Sequence, residues 1–151
     1  RRMTEVVFAF GGTVDKFIGD EVMAIFGAPY SYGDDAARAI RAGLAMRAAF
    51  AGIRALHPFA GACALKVGIH HGKVLAGTVG GEHRLAYTAL GDTVNVASRL
   101  VAEAEPEQII VSRAVVDAAH PLRVEVRDLG PQTLRGRQEP VEICELLGAT
   151  E

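Results

Sequence analysis

The order of residues predicts an α+β fold, an antiparallel or mixed sheet backed by helices. Three observations carry this. Two β-rich runs are separated only by Gly19-Asp20. A long stretch after Asp34-Asp35 repeats its apolar residues at helical spacing. Short strand-like and helix-like segments then alternate to the end of the chain.

Arg1 to Phe8 reads as the last turns of a helix, with no capping residue ahead of it and Gly11-Gly12 behind it. A further N-terminal segment is therefore expected before Arg1. Thr13 to Ile18 and Glu21 to Phe26 are strands. A two-residue loop with glycine first is the signature of a type II′ hairpin, which puts Asp20 at its tip. Gly27-Ala28-Pro29 breaks the pattern, and Asp34 or Asp35 caps a helix running to about Leu56. Ala37, Ile40, Leu44, Ala48 and Ala51 form its expected buried stripe, and Pro58 ends it.

Strands follow over Leu65 to His70 and Lys73 to Val79, with His71-Gly72 as the tight turn between them. Gly80-Gly81 opens a polar loop through Arg84, before a short strand from Leu85 to Ala89. Gly91-Asp92 opens a helix over Thr93 to about Ala104, stopped by Pro106. Gln108 to Val111 is a strand, and Ser112 caps a brief helix to Ala119. The tail reads as strands at Leu122 to Leu129 and Val141 to Leu147. Gly130-Pro131 and Leu134 to Arg137 lie between them. Without repeats, low-complexity tracts or linkers, residues 1–151 are expected to form one domain.

The composition sets limits on function. Half of the 151 residues are apolar, which is enough for a sizeable core. A formal net charge of −2 provides no basic field for nucleic acid or a membrane surface, so charged ligands must be met by local clusters. Cys63 and Cys144 have neither metal-ligand spacing nor a disulfide framework; they read as buried free thiols in a reducing, cytoplasmic setting. No apolar run reaches transmembrane length.

Asp20 is the first candidate for chemistry. A carboxylate at a hairpin tip is exposed and rigidly aimed, as a hard cation such as Mg²⁺ requires, although turns favour aspartate on their own account. Lys16 precedes it by four residues on the same hairpin. Asn95 and Arg99 share a helix face, and an amide beside a guanidinium can hold a sugar oxygen and a phosphate oxygen. Asn95 between Val94 and Val96 is poor helix composition without a role. Arg135 and Arg137 flank Gly136 and could meet a triphosphate or simply face solvent. Gly68 to Val74 fails as a phosphate loop because no Ser or Thr follows Lys73. His70 and His71 are adjacent on a strand and point to opposite faces, so they do not readily share a metal.

Four blocks in order resemble the catalytic domain of class III adenylate and guanylate cyclases. They are Lys16-Phe17-Ile18-Gly19-Asp20 through Phe26-Gly27, Val67 to Gly72, Tyr87 through Gly91-Asp92-Thr93-Val94-Asn95-Val96-Ala97-Ser98-Arg99, and Leu134-Arg135-Gly136 before Glu139-Pro140-Val141. The resemblance covers essentially the whole chain, and the third block is the most specific. It implies a ferredoxin-like nucleotidyl cyclase fold, here without its first strand. It implies that ATP is cyclised to cyclic AMP with Mg²⁺ or Mn²⁺, two ions being expected in the complete domain. Asp20 corresponds to the second of two metal-binding aspartates; the first would lie on a strand upstream of Arg1.

By the same resemblance, Lys16 and Thr88 read the purine. Many members have Asp at the position of Thr88, and a bacterial subgroup has Thr or Ser. Lys with Asp or Thr implies adenine, since an ammonium donates to adenine N1 whereas guanine N1 carries a hydrogen. Asn95 would orient the ribose, Arg99 would stabilise charge on the α-phosphate, and Arg135 stands where a triphosphate-binding Lys is usual. The family's site lies between two chains. One supplies the metal aspartates and the other supplies the purine-reading pair with Asn95 and Arg99, so Lys16 and Asp20 would serve opposite sites of a homodimer. A diguanylate cyclase also carries acids on a hairpin, but it leaves Asn95 and Arg99 unexplained. A non-catalytic nucleotide-binding or dimerisation module is the reading from another class.

Overall fold

The computed structural model describes residues 2–57, 63–81, 84–136 and 139–150, and for residues 18, 78–81 and 84–90 the backbone alone. Helix α1, Arg2–Ala9, ends at Gly11, whose φ of +76° is the left-handed geometry that glycine adopts without strain. Strands β1, Thr13–Ile18, and β2, Glu21–Ile25, form an antiparallel hairpin with Ile18 opposite Glu21. Gly19 takes φ +60°, as the first central position of a II′ turn demands.

Helix α2, Asp35–Leu56, has the predicted bounds but not the predicted stripe. Ala36, Ala37, Ile40, Ala42 and Gly43 are buried and Leu44 is half-buried, whereas Ala48 and Ala51 are exposed. Arginines tether the second half instead. Arg47 donates to the carbonyls of Leu146 and Leu147 at 3.3 and 2.8 Å, and Arg54 pairs with Glu107 at 2.7 Å.

The core is organised around a four-stranded mixed sheet in the order β3-β6-β8-β7. Its strands are β3, Val67–Ile69, β6, Ile109–Ser112, β7, Arg123–Gln132, and β8, Val141–Thr150. Strands β3 and β6 run parallel, and the other pairings are antiparallel. All of β6 is buried. Its side chains alternate, as a pleated strand requires. Ile109 and Val111 pack with Ala37 and Ile40 of α2, and with Val115 and Ala119 in and just beyond α4, Arg113–Ala118. Ile110 packs on the other side with Val96 and Leu100 of α3, Asp92–Glu103. The sheet is thus sandwiched between α2 with α4 and α3. A second hairpin, β4, Leu75–Gly81, and β5, Arg84–Leu90, is paired throughout.

Several expectations are corrected. Strand β3 begins two residues later than predicted, because Leu65 is held by Glu107: the Glu107 amide donates to the Leu65 carbonyl at 2.7 Å. Strands β3 and β4 lie in different sheets, so His71-Gly72 belongs to a five-residue connection over 70–74 and not to a tight turn. Gly80, Gly81 and Arg84 are ladder residues, with Gly80 opposite Leu85 and Gly81 opposite Arg84, and not part of a polar loop; residues 82 and 83 lie outside the described residues. Pro58 also lies outside them, and His57 is the C-cap of α2.

Strand β7 continues through Gly130-Pro131. A bulge skips Leu129, Gly130 has φ +74°, and β7 is an edge strand on which proline's missing N–H is tolerated. Cys144 is buried as expected, but Cys63 is exposed. Ser112 occupies the N-cap position of α4 without making a cap bond, because its hydroxyl pairs with His70 Nδ1 at 2.7 Å.

Arg38 ties α1 to the start of α2. It donates to the carbonyls of Phe10 and Gly11, pairs with Asp34 and Asp35, and stacks over Tyr32 with its guanidinium 4.9 Å from the ring centre. Burial pushes Asp35 up, but hydrogen bonds from the Ser31 hydroxyl, the Tyr32 amide and Arg38 outweigh it and hold the carboxyl below its ordinary 3.8. A depressed carboxylate stabilises the fold above its unfolded value, and that contribution is lost as pH falls through the folded one. The denaturation midpoint should therefore decline below pH 3.8, and Asp35→Asn should flatten that decline. In the core, Ile40→Ala should cost about 2–5 kcal/mol in urea unfolding. Ala51→Ser, on the exposed face, should stay within about 0.5 kcal/mol.

Candidate active site

Helix α3 begins at Gly91, whose φ of +128° turns the chain sharply out of β5. Val96 and Leu100 are buried beneath it, so the polar residues between them are turned outward. Asn95 and Arg99 are both exposed on that outer face. The Asn95 amide is part of the first helical turn, donating to the Gly91 carbonyl at 3.4 Å.

A third residue is brought to the same place by burial of its neighbour. Leu134 is 1% exposed and packs into the cluster of Val96, Leu100, Ile110 and Ile143. This anchors the segment that follows β7 over α3, and Gly136 at φ +85° turns it back. The result is a cavity of about 180 Å³ lined by Asp92, Asn95, Val96, Arg99, Arg135 and Gly136. Two guanidinium groups, one carboxamide and the single carboxylate of Asp92 therefore line one small space at the N-terminal half of a helix, with the cationic groups in excess. That combination favours an anion: arginine offers a planar fork of donors, and the first turn of a helix carries partial positive charge. Arg137 lies outside the described residues.

A larger concavity, about 560 Å³, opens beside Phe10, Gly11, Tyr32, Asp34 and Arg38. Its size does not make it the better candidate, because the Arg38 guanidinium there is already engaged by two carboxylates and two carbonyls.

Asp20 is exposed at the tip of the β1–β2 hairpin. Lys16 lies further down β1, beside a bulge: Val14 faces Ala24 and Lys16 faces Met23, which leaves Asp15 as the extra residue. The Asp15 side chain is 1% exposed, and its carboxylate lies 4.0 Å from the Lys16 ammonium. Thr88 falls within β5, opposite Gly77; its side chain lies outside the described residues. Lys16 and Asp20 are not among the described residues lining the small cavity. The elements that carry them are nonetheless neighbours, since β1 lies against β5 and β5 against α3.

Three participants were not singled out from the sequence. Asp92 lines the cavity. Asp15 is a buried carboxylate beside Lys16, and only the bulge, which has no sequence mark of its own, puts it there. Thr93 donates to the Lys73 carbonyl at 2.6 Å; its place at the start of the helix next to Asn95 was the available signal. His70 is engaged by Ser112 and His71 is exposed, so the histidine pair forms no joint site. Among the described residues no three His, Cys, Asp or Glu side chains gather, and no helix is long and apolar enough to cross a membrane.

Known proteins match both the sequence and the fold. The family described as the adenylate and guanylate cyclase catalytic domain matches residues 4–145. Adenylate cyclase 1 of Rhizobium meliloti is 36% identical over 149 residues, covering 96% of this chain and 22% of that protein. The terminal-differentiation-specific adenylate cyclase of Dictyostelium discoideum is 35% identical over 147 residues, covering 91% of this chain and 7% of that protein. The chain thus spans a quarter or less of these curated relatives. Among solved structures, the adenylyl cyclase CyaB from P. aeruginosa superposes with a TM-score of 0.90 at 32% identity, covering 97% of this chain and 77% of that one. The guanylyl cyclase Cya2 gives 0.90 at 32% identity, covering 99% and 77%. With sequence and fold in agreement, the chain belongs to the adenylate and guanylate cyclase catalytic domains, the class III nucleotidyl cyclases.

Proposed function

We propose that this chain converts ATP to 3′,5′-cyclic AMP and pyrophosphate in intracellular signalling, acting as a homodimer with shared active sites. The observation that carries the reading is the convergence of Asn95, Arg99 and Arg135 on one small cavity. In the reaction the ribose 3′-oxygen bonds to the α-phosphorus as the bond to the β-phosphate oxygen breaks. The 3′-hydroxyl proton leaves, and pyrophosphate departs with the bond's electrons. Asn95 orients the ribose. Arg99 offsets negative charge developing on the α-phosphate, and Arg135 holds the terminal phosphates. Work of this kind is mainly positioning and electrostatics.

Lys16 and Thr88 are assigned to the purine. The likeness to an adenylyl and to a guanylyl cyclase structure is equal, so substrate choice rests on those two residues. An ammonium at Lys16 can donate to the bare N1 of adenine but meets a hydrogen on the N1 of guanine.

A divalent cation fits the residues present only in company with the nucleotide. Asp20 is the one carboxylate assigned to it, and Mg²⁺ commonly binds through one or two carboxylates together with substrate phosphates. Asp20 would hold Mg²⁺ or Mn²⁺ with the triphosphate, and the bound ion would supply charge neutralisation there.

The test is cyclic nucleotide formation by the full chain, supplied with ATP or GTP and with Mg²⁺ or Mn²⁺. Cyclic AMP formation with a preference for ATP is expected; a preference for GTP would refute the assignment of Lys16 and Thr88. Asn95→Ala and Arg99→Ala should each lower kcat by about 10²- to 10³-fold with much smaller changes in KM. Equal losses in nucleotide affinity would contradict their roles. The shared site predicts complementation. Asp20→Ala and Asn95→Ala chains, each inactive alone, should recover about a quarter of wild-type activity when mixed, because each mixed dimer contains one intact site. No recovery in dimers verified as mixed would mean that one and the same chain supplies both residues to a site, and would refute the shared arrangement.

A further inference from the structure

Helix α3 has two working faces. At about 100° per residue, Thr93, Ala97 and Val101 form one stripe, and Asn95 and Arg99 lie roughly opposite. The first stripe rests on bare backbone. A Cβ at Gly68 would come within 2.8 Å of both the Ala97 carbonyl oxygen and the Val101 amide nitrogen. A Cβ at Gly72 would come within 2.7 Å of Thr93 Oγ1 and 3.2 Å of Thr93 Cγ2. The Thr93 hydroxyl also donates to the Lys73 carbonyl at 2.6 Å.

These two contacts have different foundations. Gly68 belongs to β3, which is locked in register against the buried strand β6. Its contact fixes the middle and the C-terminal half of the helix. Gly72 and Lys73 belong to the connection over 70–74, outside any strand. At the other side the helix begins at Gly91, with φ +128° and no side-chain cap bond. The contacts of Ala97 and Val101, with the burial of Val96 and Leu100, hold the helix from its middle onward, whereas the contact of Thr93 bears on the first turn, whose tilt moves Asn95.

We propose that Thr93 is a positioning residue for the cyclisation: its hydroxyl bond to the Lys73 carbonyl and its packing on Gly72 set the tilt and rotation of the first turn of α3, and through it the aim of Asn95 and Arg99. This inference rests on the reading of Asn95 and Arg99 given above. Thr93 is turned to Gly72 and Lys73, on the helix face opposite Asn95 and Arg99, so its substitution is expected to act on the rate and not on nucleotide affinity.

The experiment uses the full chain and measures kcat, KM and thermal midpoint for Thr93→Val, Thr93→Ser, Gly72→Ala and Asn95→Ala, with rates expressed per folded molecule. Thr93→Val keeps the shape and removes the donor; it should lower kcat about ten- to a hundredfold with KM within about twofold, because a misplacement of about 1 Å can cost that much. Thr93→Ser keeps the donor and should retain kcat within about threefold. Gly72→Ala pushes on Thr93 from the other side and should lower kcat in the same manner; it provides the test if Thr93→Val does not fold. Wild-type kcat in Thr93→Val or Gly72→Ala, with only the thermal midpoint lowered, would overturn the proposal. So would a raised KM at unchanged kcat, or a Thr93→Ser variant as slow as Thr93→Val. Full turnover in Asn95→Ala would instead remove the site reading on which this one rests.

Discussion

Helix α3 approaches β3 so closely that nothing larger than a hydrogen fits at Gly68. An added methyl there would meet backbone atoms of Ala97 and Val101, which cannot swing aside as a flexible side chain would. Everything distinctive about the small cavity follows from that contact. The helix lies flat on the sheet, Val96 and Leu100 are driven into the core, and the opposite face is left to carry Asn95 and Arg99. Leu134 uses the same apolar cluster to bring Arg135 over the helix. One packing decision therefore gathers cationic and amide groups that are far apart in the chain.

The hairpin solves a different problem. The proposed cation role asks Asp20 to be held yet open, and a two-residue II′ turn leaves it exposed at the hairpin tip. The bulge beneath it swallows Asp15 and seats Lys16 next to that buried carboxylate. Position along one short ribbon thus separates an exposed acid at the tip from a lysine in mid-strand, opposite Met23, and β1 as a whole lies against β5. In the proposed dimer these two residues turn toward different nucleotides.

Much of this was legible from residue order because it depends on local rules. The II′ hairpin follows from glycine's tolerance of positive φ, and the bounds of α2 and α3 follow from periodicity and from glycine and proline punctuation. Other features were hidden for physical reasons. The far half of α2 carries alanines at helical spacing, yet Ala48 and Ala51 are exposed; that half is tethered by Arg47 and Arg54, and its half-buried apolar residues are Met46, Ala49, Phe50 and Ile53. Gly80-Gly81 and Gly130-Pro131 look like breaks but lie within ladders. A paired strand accepts glycine, and an edge strand accepts proline, and edge status is not a property of the local sequence. Ser112 has the chemistry of a cap, but His70, in the connection just after β3, claims its hydroxyl.

Residue order by itself determined the kind of chemistry available: an acid at a tight turn, an amide and a guanidinium one helical turn apart, and a second arginine beside a glycine. These are properties of short segments, where spacing alone decides which side chains share a face. Only the tertiary structure decided that Arg135 meets Asn95 and Arg99, that Asp15 is buried beside Lys16, and that Thr93 is tied to the connection after β3. Those outcomes depend on how closely a helix and a strand can approach and on where a ladder slips by one residue. Such distances are set by packing between distant segments, which no local pattern encodes.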